Sequence, residues 1–173
     1  KVVCLSHNYN LGQSTCLKTA SNYSKSECLI TIDGDCQNNP YDIKKLIELY
    51  KNNNFELIGG IRRKRRDTLV KIISSKIANK IRMLILDDDC IDTGCSLKIF
   101  KKDLFLKLPF FDGIHRFLPA LFKAYGSNTH FIDVDHRYRK YGQSKYDTFG
   151  RLFRGIRDIF KVLLIIKKYR KKL

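Results

Sequence analysis

Two aspartates and a glutamine stand at alternate positions after an apolar run, at Asp33, Asp35 and Gln37. The run at residues 28–32 predicts a strand, and side chains two residues apart in an extended chain point to the same side. Three side-chain oxygens can therefore meet beyond the strand end, where Mg²⁺ or Mn²⁺ would find the oxygen ligands that hard cations prefer. An ordinary polar turn is the alternative, because Asp and Gly are common turn residues.

Basic side chains are concentrated in three segments, 62–66, 137–145 and 151–173, which hold 5, 4 and 9 Lys and Arg residues. Asp158 is the only acidic residue in these segments, so they account for the whole formal net charge of +17. Such a charge predicts a polyanion or an anionic membrane surface as a partner. It excludes an acidic, disordered chain.

The elements that position these residues follow from hydrophobic periodicity. Strands and helices alternate, which is typical of α/β proteins with a largely parallel sheet. Strands are predicted at 2–6, 28–32, 55–58, 95–100 and 129–134, and helices at 13–24, 40–51, 69–86 and 115–125. Gly59 and Gly60 should end the third strand, and Asn38 or Asn39 should cap the helix that begins near Pro40.

Length and composition predict one domain, because 173 residues with 43% apolar side chains are enough for a single core. No apolar run approaches the ~18 residues of a transmembrane helix. The six cysteines form no Cys-x-x-Cys pair, which favours reduced thiols over disulfides or zinc. The chain starts at Lys1, inside a strand-like run, and we therefore expect a further piece upstream.

The last segment is amphipathic. Apolar residues recur at steps of three and four from Leu152 to Leu164, and basic residues lie between them, followed by a basic run at 167–172. Such a helix can lie in the headgroup layer of an anionic membrane. A helix packed on the domain is the alternative, and we favour the membrane interface.

Five motifs carry a family resemblance. The segment 31–40, Thr-Ile-Asp-Gly-Asp-Cys-Gln-Asn-Asn-Pro, resembles the Asp-x-Asp-Leu-Gln-x-x-Pro motif of family 2 glycosyltransferases of the dolichol-phosphate mannose synthase type. The other matches, in the same order, are Asn-Leu-Gly-Gln-Ser at 10–14, Asp-Thr-Gly-Cys at 92–95, His-Arg-Phe-Leu-Pro at 115–119 and the segment 136–146, which contains Arg-Lys-Tyr-Gly-Gln-Ser-Lys-Tyr and matches the Arg-x-x-Gly-x-Ser-Lys-Tyr signature. Together they extend over essentially the whole chain.

The resemblance implies an α/β fold of the GT-A type, related to the Rossmann fold, with a mostly parallel sheet flanked by helices. Residues 1–146 would form a partial catalytic domain whose first βα unit lies upstream. Residues 147–173 would form a basic amphipathic helix and tail at the membrane interface. The protein would be cytoplasmic and peripheral on the inner face of the membrane.

The implied activity is the inverting transfer of a hexose, of the mannose or glucose type, to a polyprenyl phosphate such as dolichyl or undecaprenyl phosphate. The donor would be a GDP- or UDP-hexose. A glycan hydroxyl acceptor is one alternative, and a non-catalytic basic module that binds nucleic acid is another. Nucleic acid is not the expected partner, because tryptophan is absent and no aromatic stacking motif is evident.

On the donor side, the resemblance assigns the metal, Mg²⁺ or Mn²⁺, to Asp33, Asp35 and Gln37. Asp33 would also bind the donor, together with Arg139 and the Ser144-Lys145 pair. Asp35 would stand at the reacting centre. A departing nucleoside diphosphate needs its negative charge neutralised, which a metal and basic side chains can do.

On the acceptor side, the resemblance assigns the lipid phosphate to Arg62, Lys71 and Ser75. Lys71 departs from the arginine that relatives often have there, and a lysine cannot form the same bidentate pair. Asp92 would be a catalytic residue that orients a sugar hydroxyl or acts as a base, and we place orientation first, because a phosphate is already a nucleophile near neutral pH. His115 is a further candidate, and a structural hydrogen-bonding role is the alternative for it.

Overall fold

The structure is a computed structural model that describes residues 1–62, 69–138 and 148–171. Within these ranges it has six α-helices, one short 3-10 helix and four strands. The elements are, in chain order, α1 (Gly12–Tyr23), β1 (Cys28–Thr31), α2 (Tyr41–Asn52), β2 (Leu57–Arg62), α3 (Leu69–Leu86), β3 (Lys98–Lys101), α4 (Lys102–Lys107), the 3-10 helix (Ile114–Arg116), α5 (Leu118–Ala124), β4 (Thr129–Val134) and α6 (Thr148–Arg170).

The sheet is mixed, with the strand order β1-β3-β2-β4. β3 is antiparallel to both β1 and β2, and β2 pairs with β4 in parallel. Of the four described strands, β1, β2 and β4 therefore run in one direction and β3 runs against them, so the sheet is mixed. The reason is visible at the end of β2, where Arg62 binds Asp92 and the Gly60 N–H donates to the Leu97 carbonyl at 2.9 Å. Because β3 starts beside the end of β2, it must run back in the opposite direction.

The predicted strand at 2–6 is absent. These residues have no regular secondary structure, and Val2 is 96% exposed. A strand is stable only when its backbone groups pair with a neighbouring strand. No strand that the structure describes pairs with this segment, so its apolar composition alone does not make it a strand.

β2 extends through Gly59 and Gly60 to Arg62, so the prediction that the glycines end this strand was also wrong. Both glycines leave room for side chains of β4. A Cβ atom at position 59 would lie 3.0 Å from the Phe131 ring, and one at position 60 would lie 2.8 Å from a Val134 methyl group. The glycines therefore allow close contact with β4 and carry the strand on to Arg62.

Two apolar clusters cover the two faces of the sheet. Side chains alternate along a strand, so Leu57 and Phe100 belong to one cluster and Ile58 and Ile99 to the other. The first cluster includes residues of α5 and α6, and the second includes Leu46 of α2. The sheet is thus flanked by helices on both faces, as expected.

The helix α6 packs on the domain with one face. Its buried residues, Asp158, Val162 and Ile166, recur at four-residue steps. The Asp158 carboxylate accepts a hydrogen bond from the Arg116 guanidinium at 2.7 Å, and a Cβ atom at Gly113 would lie 2.8 Å from the same carboxylate. In the described residues, no helix has the length and apolar character needed to cross a membrane.

Candidate active site

The Asp-x-Asp segment forms a turn directly after β1. Asp33, Asp35 and Gln37 are half-buried, and Gly34 and Cys36 between them are exposed. Cys36 has a φ of +62°, and the Asp35 carboxylate accepts the backbone N–H of Gln37 at 3.2 Å. The segment is therefore a turn, and the meeting of the three side-chain oxygens at one point stays a prediction.

Asn38 holds this turn against the rest of the site. Its buried side-chain oxygen accepts the backbone N–H of Asp33 at 3.0 Å and the hydroxyl of Ser96 at 3.0 Å. The N–H that starts α2 is bound instead by the Asn39 side chain, whose oxygen lies 3.2 Å from the Tyr41 nitrogen. Of the two asparagines predicted as helix caps, Asn39 binds the helix and Asn38 binds the site.

The chain that follows β4 returns to the same turn. The Arg137 N–H donates to the Gln37 carbonyl at 2.8 Å, and the Gln37 amide donates to the Arg137 carbonyl at 3.3 Å. The Arg137 guanidinium donates to the Asn39 side chain at 2.7 Å. Arg137 thus brings the start of the last of the five motifs to the Asp-x-Asp turn. The donor residues predicted beyond it, Arg139 and Ser144-Lys145, lie outside the described residues.

The donor atoms of the turn suit a hard divalent cation. Asp33 and Asp35 supply carboxylates and Gln37 an amide oxygen, which are ligands that Mg²⁺ accepts. Over the described parts of the chain, no group of three or more His, Cys, Asp or Glu side chains could hold a metal. A metal at this turn would therefore have two protein carboxylates at most from these residues, and oxygen atoms of a substrate would have to complete its shell.

Arg62 and Asp92, predicted for the acceptor phosphate and the reacting centre, form an ion pair. The Arg62 Nε and Nη2 atoms donate to the two Asp92 oxygens at 2.7 and 2.8 Å, and the Arg62 backbone N–H donates to Oδ2 at 3.2 Å. Their side chains are only 14% and 7% exposed. A bidentate pair of this kind fixes both groups in one plane.

Arg82 of α3 fastens the loop that carries Asp92. Its guanidinium donates to the Asp88 carboxylate at 2.5 Å and to the Cys90 carbonyl, and all three residues are buried. Burial raises the pKa of Asp88, and the Arg82 charge opposes that rise. Sequence reasoning missed this residue, although an arginine within the apolar pattern of 69–86 was a signal for it.

Lys98 fastens the other half of the same loop. This buried residue of β3 donates through Nζ to the carbonyls of Cys95 and Thr93, the latter at 3.5 Å. A lysine inside a strand pattern was the signal that could have found it. Two buried cations therefore hold the backbone on both sides of Asp92.

His115 connects two motifs that are far apart in the sequence. Its Nδ1 lies 2.8 Å from the hydroxyl of Ser14, and that oxygen also accepts the Gly113 N–H at 2.8 Å. Burial, helped by the charges of Arg116 and Lys98, lowers the pKa of His115 to about 4. His115 is thus neutral near pH 7, and its contact is the hydrogen-bonding role that was the alternative for this residue.

The other acceptor residues lie on α3. Ser75 is half-buried in this helix. Lys71 belongs to the first turns of the same helix, but its side chain is outside the described part, as are residues 63–66 of the basic loop. The roles of both residues stay predictions.

Residues 1–108 match the family model described as glycosyl transferase family 2. The chain belongs to glycosyltransferase family 2. The matched range contains the Asp-x-Asp turn, Arg62 and Asp92, so the predicted family is confirmed over the site that the structure describes.

Two curated relatives of this glycosyltransferase chain act on polyprenyl phosphates, according to their names. Dodecaprenyl-phosphate galacturonate synthase of Rhizobium johnstonii is 30% identical over 161 residues, which is 91% of this chain and 47% of the relative. Undecaprenyl-phosphate 4-deoxy-4-formamido-L-arabinose transferase of Pectobacterium carotovorum is 27% identical over 162 residues, 94% of this chain and 49% of the relative. The chain spans about half the length of the curated relatives it matches.

Solved structures support the GT-A-like fold of this glycosyltransferase chain. Glucosyl-3-phosphoglycerate synthase of Mycobacterium tuberculosis, in complex with phosphoglyceric acid, has a TM-score of 0.61 at 13% identity and covers 92% of this chain and 56% of its own. The same enzyme with Mn²⁺, uridine-diphosphate-glucose and glycerol 3-phosphate has a TM-score of 0.55 at 15% identity, covering 91% and 55%. The fold expectation is confirmed, with a mixed sheet in place of a mostly parallel one.

Proposed function

We propose that this chain is the catalytic part of an inverting glycosyltransferase that moves a hexose from a nucleotide sugar to a polyprenyl phosphate. The observation that supports this most is the arrangement at the ends of β1 and β2. There Asn38 accepts hydrogen bonds from the acidic turn and from Ser96, and Ser96 lies four residues after Asp92, which pairs with Arg62. A donor that needs a cation and an acceptor that needs an arginine can meet at such an arrangement. The two polyprenyl-phosphate relatives support the acceptor class.

On the donor side, Asp33, Asp35 and Gln37 would hold Mg²⁺ or Mn²⁺. When bound, the cation would neutralise the charge of the leaving nucleoside diphosphate. The Mn²⁺ and uridine-diphosphate-glucose in the Mycobacterium tuberculosis enzyme support this choice of cation and of a GDP- or UDP-hexose donor. Arg139 and Ser144-Lys145 would bind the donor phosphates. The segment that carries them follows Arg137, whose backbone N–H and carbonyl both hydrogen-bond to Gln37 in the turn.

On the acceptor side, Arg62, Lys71 and Ser75 would hold the lipid phosphate. A phosphate monoester has a second pKa of about 6, so it reaches the site as a nucleophile and needs orientation more than deprotonation. Asp35 and Asp92 would stand at the reacting centre, with Asp92 in an orienting role. Both Asp92 oxygens accept hydrogen bonds from Arg62, which supports an orienting role over that of a base.

A membrane surface is the proposed location, on the cytoplasmic face and without insertion. The outer face of α6 exposes a row of apolar residues at four-residue steps, and basic residues lie beside it. The row is Ile156, Phe160 and Leu164, and the neighbouring cations are Arg157, Lys161, Lys167 and Lys168. Asp158 is buried, so this outer face has no carboxylate among the described residues of α6.

The adjacent helix α3 exposes a second row, Ile73, Ile77, Ile81 and Leu84. Apolar rows with cationic flanks suit an anionic headgroup layer.

The test of the reaction uses the full-length protein with labelled UDP- and GDP-hexoses, Mg²⁺ or Mn²⁺, and undecaprenyl or dolichyl phosphate. We expect a lipid-extractable, negatively charged glycolipid with inverted anomeric configuration. Asp35→Asn should lower the rate on the order of 100-fold or more, because it removes charge from the cation ligands. Asp103→Asn, on an exposed position of α4, is the matched control and should keep the rate.

Two outcomes would contradict the proposal. Transfer of the label to a glycan hydroxyl, with no glycolipid from any donor, would assign the other acceptor class. Absence of any transfer, together with tight and salt-sensitive binding of nucleic acid, would identify a basic binding module instead.

A further inference from the structure

Both oxygens of the Asp92 carboxylate accept hydrogen bonds from Arg62. Three donors from a single residue, Nε, Nη2 and the backbone N–H, reach the two Asp92 oxygens within 3.2 Å. For Asp92 to act as a base, it would have to take up a proton and lose the negative charge that makes these bonds about twice as strong as neutral ones. The geometry therefore favours a task in which the carboxylate keeps its partner.

The same geometry determines how Arg62 can bind a phosphate. A guanidinium is a rigid planar fork whose edges each bind an oxyanion through two parallel hydrogen bonds. Asp92 binds the edge formed by Nε and Nη2. A phosphate held in bidentate fashion by Arg62 must then meet the edge formed by Nη1 and Nη2, in the plane that Asp92 imposes.

Gly94 provides the space for this pair. A Cβ atom at position 94 would lie 2.9 Å from the Arg62 Nη2 atom and 3.6 Å from the Asp92 Oδ1 atom. Gly94 is not among the residues with a positive φ, so the backbone there does not itself require glycine. Any side chain at this position would push the guanidinium away from its present place.

The position of Asp92 does not depend on Arg62 alone. Arg82 binds the Cys90 carbonyl on one side of it, and Lys98 binds the Thr93 and Cys95 carbonyls on the other. Both cations are buried. The carboxylate is thus presented by a loop that is fastened from α3 and from β3, and it can orient a flexible arginine rather than follow it.

We infer that Asp92 is a positioning residue that holds the Arg62 guanidinium in the plane in which it receives the acceptor phosphate, and that Gly94 keeps this place open. The inference rests on the proposed acceptor role of Arg62. In the reaction, an acceptor phosphate oxygen forms a bond to the anomeric carbon while the bond to the diphosphate oxygen breaks, and the electron pair leaves with the nucleoside diphosphate. No proton needs to move to Asp92.

Steady-state kinetics of the full-length protein test the inference. At saturating donor, Asp92→Asn and Gly94→Ala should each raise the KM for polyprenyl phosphate on the order of 10- to 100-fold and change kcat only a few-fold, because they displace the Arg62 guanidinium and do not touch the cation ligands of the donor. The double variant Arg62→Ala/Asp92→Asn should be no worse than Arg62→Ala alone. A loss in kcat at unchanged KM in Asp92→Asn, with loss of the acidic limb of the pH profile, would make Asp92 a base and overturn the inference.

A second readout does not depend on the substrate. The Arg62 Nε–H signal in a ¹⁵N–¹H spectrum, assigned by its disappearance in Arg62→Lys, reports the bond to Asp92. We expect Asp92→Asn to shift and broaden it and Gly94→Ala to shift it, at unchanged thermal midpoints. An unchanged signal in Asp92→Asn would overturn the inference even in an active enzyme. A changed signal in a protein that makes no glycolipid would support the pairing and contradict the proposed function.

Discussion

The half-buried imidazole of His115 should make the stability of the domain depend on pH. Its pKa is lowered from 6.5 to about 4, first by burial and then by the charges of Arg116 and Lys98. The Ser14 oxygen already accepts the Gly113 N–H, so the Ser14 hydroxyl hydrogen can point to the neutral Nδ1 of His115. Protonation of Nδ1 would replace an acceptor by a donor at that contact and place a charge in the core.

The direction and size of the effect follow from linkage. Above pH 6.5 the imidazole is neutral in both the folded and the unfolded chain, so the free energy of unfolding has its full value. As the pH falls below 6.5 the unfolded chain binds a proton, and the folded chain does not do so until about pH 4. Stability is therefore lost in this window. The two pKa values give a loss of about 2 kcal/mol by pH 5 and about 3 kcal/mol by pH 4.

Urea denaturation between pH 7.5 and pH 4.5 measures this loss. His115→Asn keeps a polar atom near the Nδ1 position and removes the titrating group. The difference in the free energy of unfolding between the wild type and this variant should therefore narrow by about 2 kcal/mol as the pH falls to 5. Leu17→Ala, which weakens packing beside the main apolar cluster without removing a titrating group, is the control. Its difference from the wild type should not change with pH. If the difference in the free energy of unfolding between the wild type and His115→Asn stays constant with pH, the lowered pKa of His115 is refuted.

Two further changes test the fold and the outer face of α6. Gly60→Ala would bring a Cβ atom to 2.8 Å from Val134 and should lower the free energy of unfolding by about 1–3 kcal/mol, whereas Gly34→Ala, with nothing within 4 Å, should cost less than half as much by the same denaturation assay. The double variant Phe160→Glu/Leu164→Glu should weaken binding to phosphatidylglycerol vesicles by at least roughly tenfold in a sedimentation assay. The control Tyr23→Glu, at a similarly exposed position of α1, should bind the vesicles like the wild type. Equal binding of both variants would place the membrane contact elsewhere.

The sequence predicted those elements whose residues are set by local rules. The bounds of α3 and β4 agree with the predicted 69–86 and 129–134, because their apolar periods are regular and their ends lie beside polar residues. Local rules were misleading at residues 2–6 and at Gly59-Gly60, where neighbouring strands decide the outcome.

Contacts between distant residues could not be read in this way. Arg62 and Asp92 are 30 positions apart, and Ser14 and His115 are 101 apart, so no periodicity relates them. The direction of β3 likewise depends on where the preceding loop returns. Arg82 and Lys98 appeared in the sequence as cations in apolar patterns, but their partners are backbone carbonyls and the Asp88 carboxylate, which only the fold brings near.

The contact between Asp158 and Arg116 has a consequence for how this chain can vary. A Cβ atom at position 113 would lie 2.8 Å from the Asp158 carboxylate and 2.9 Å from the Arg116 guanidinium, so the three positions fill one small volume. Replacing Arg116 leaves the buried Asp158 carboxylate without this partner, and a side chain at position 113 would clash with both groups. We expect relatives that differ at one of the positions Gly113, Arg116 and Asp158 to differ at the others as well. A chimera that takes α6 from another member of the family should fold only if the donor helix brings an acid that matches the arginine of its host.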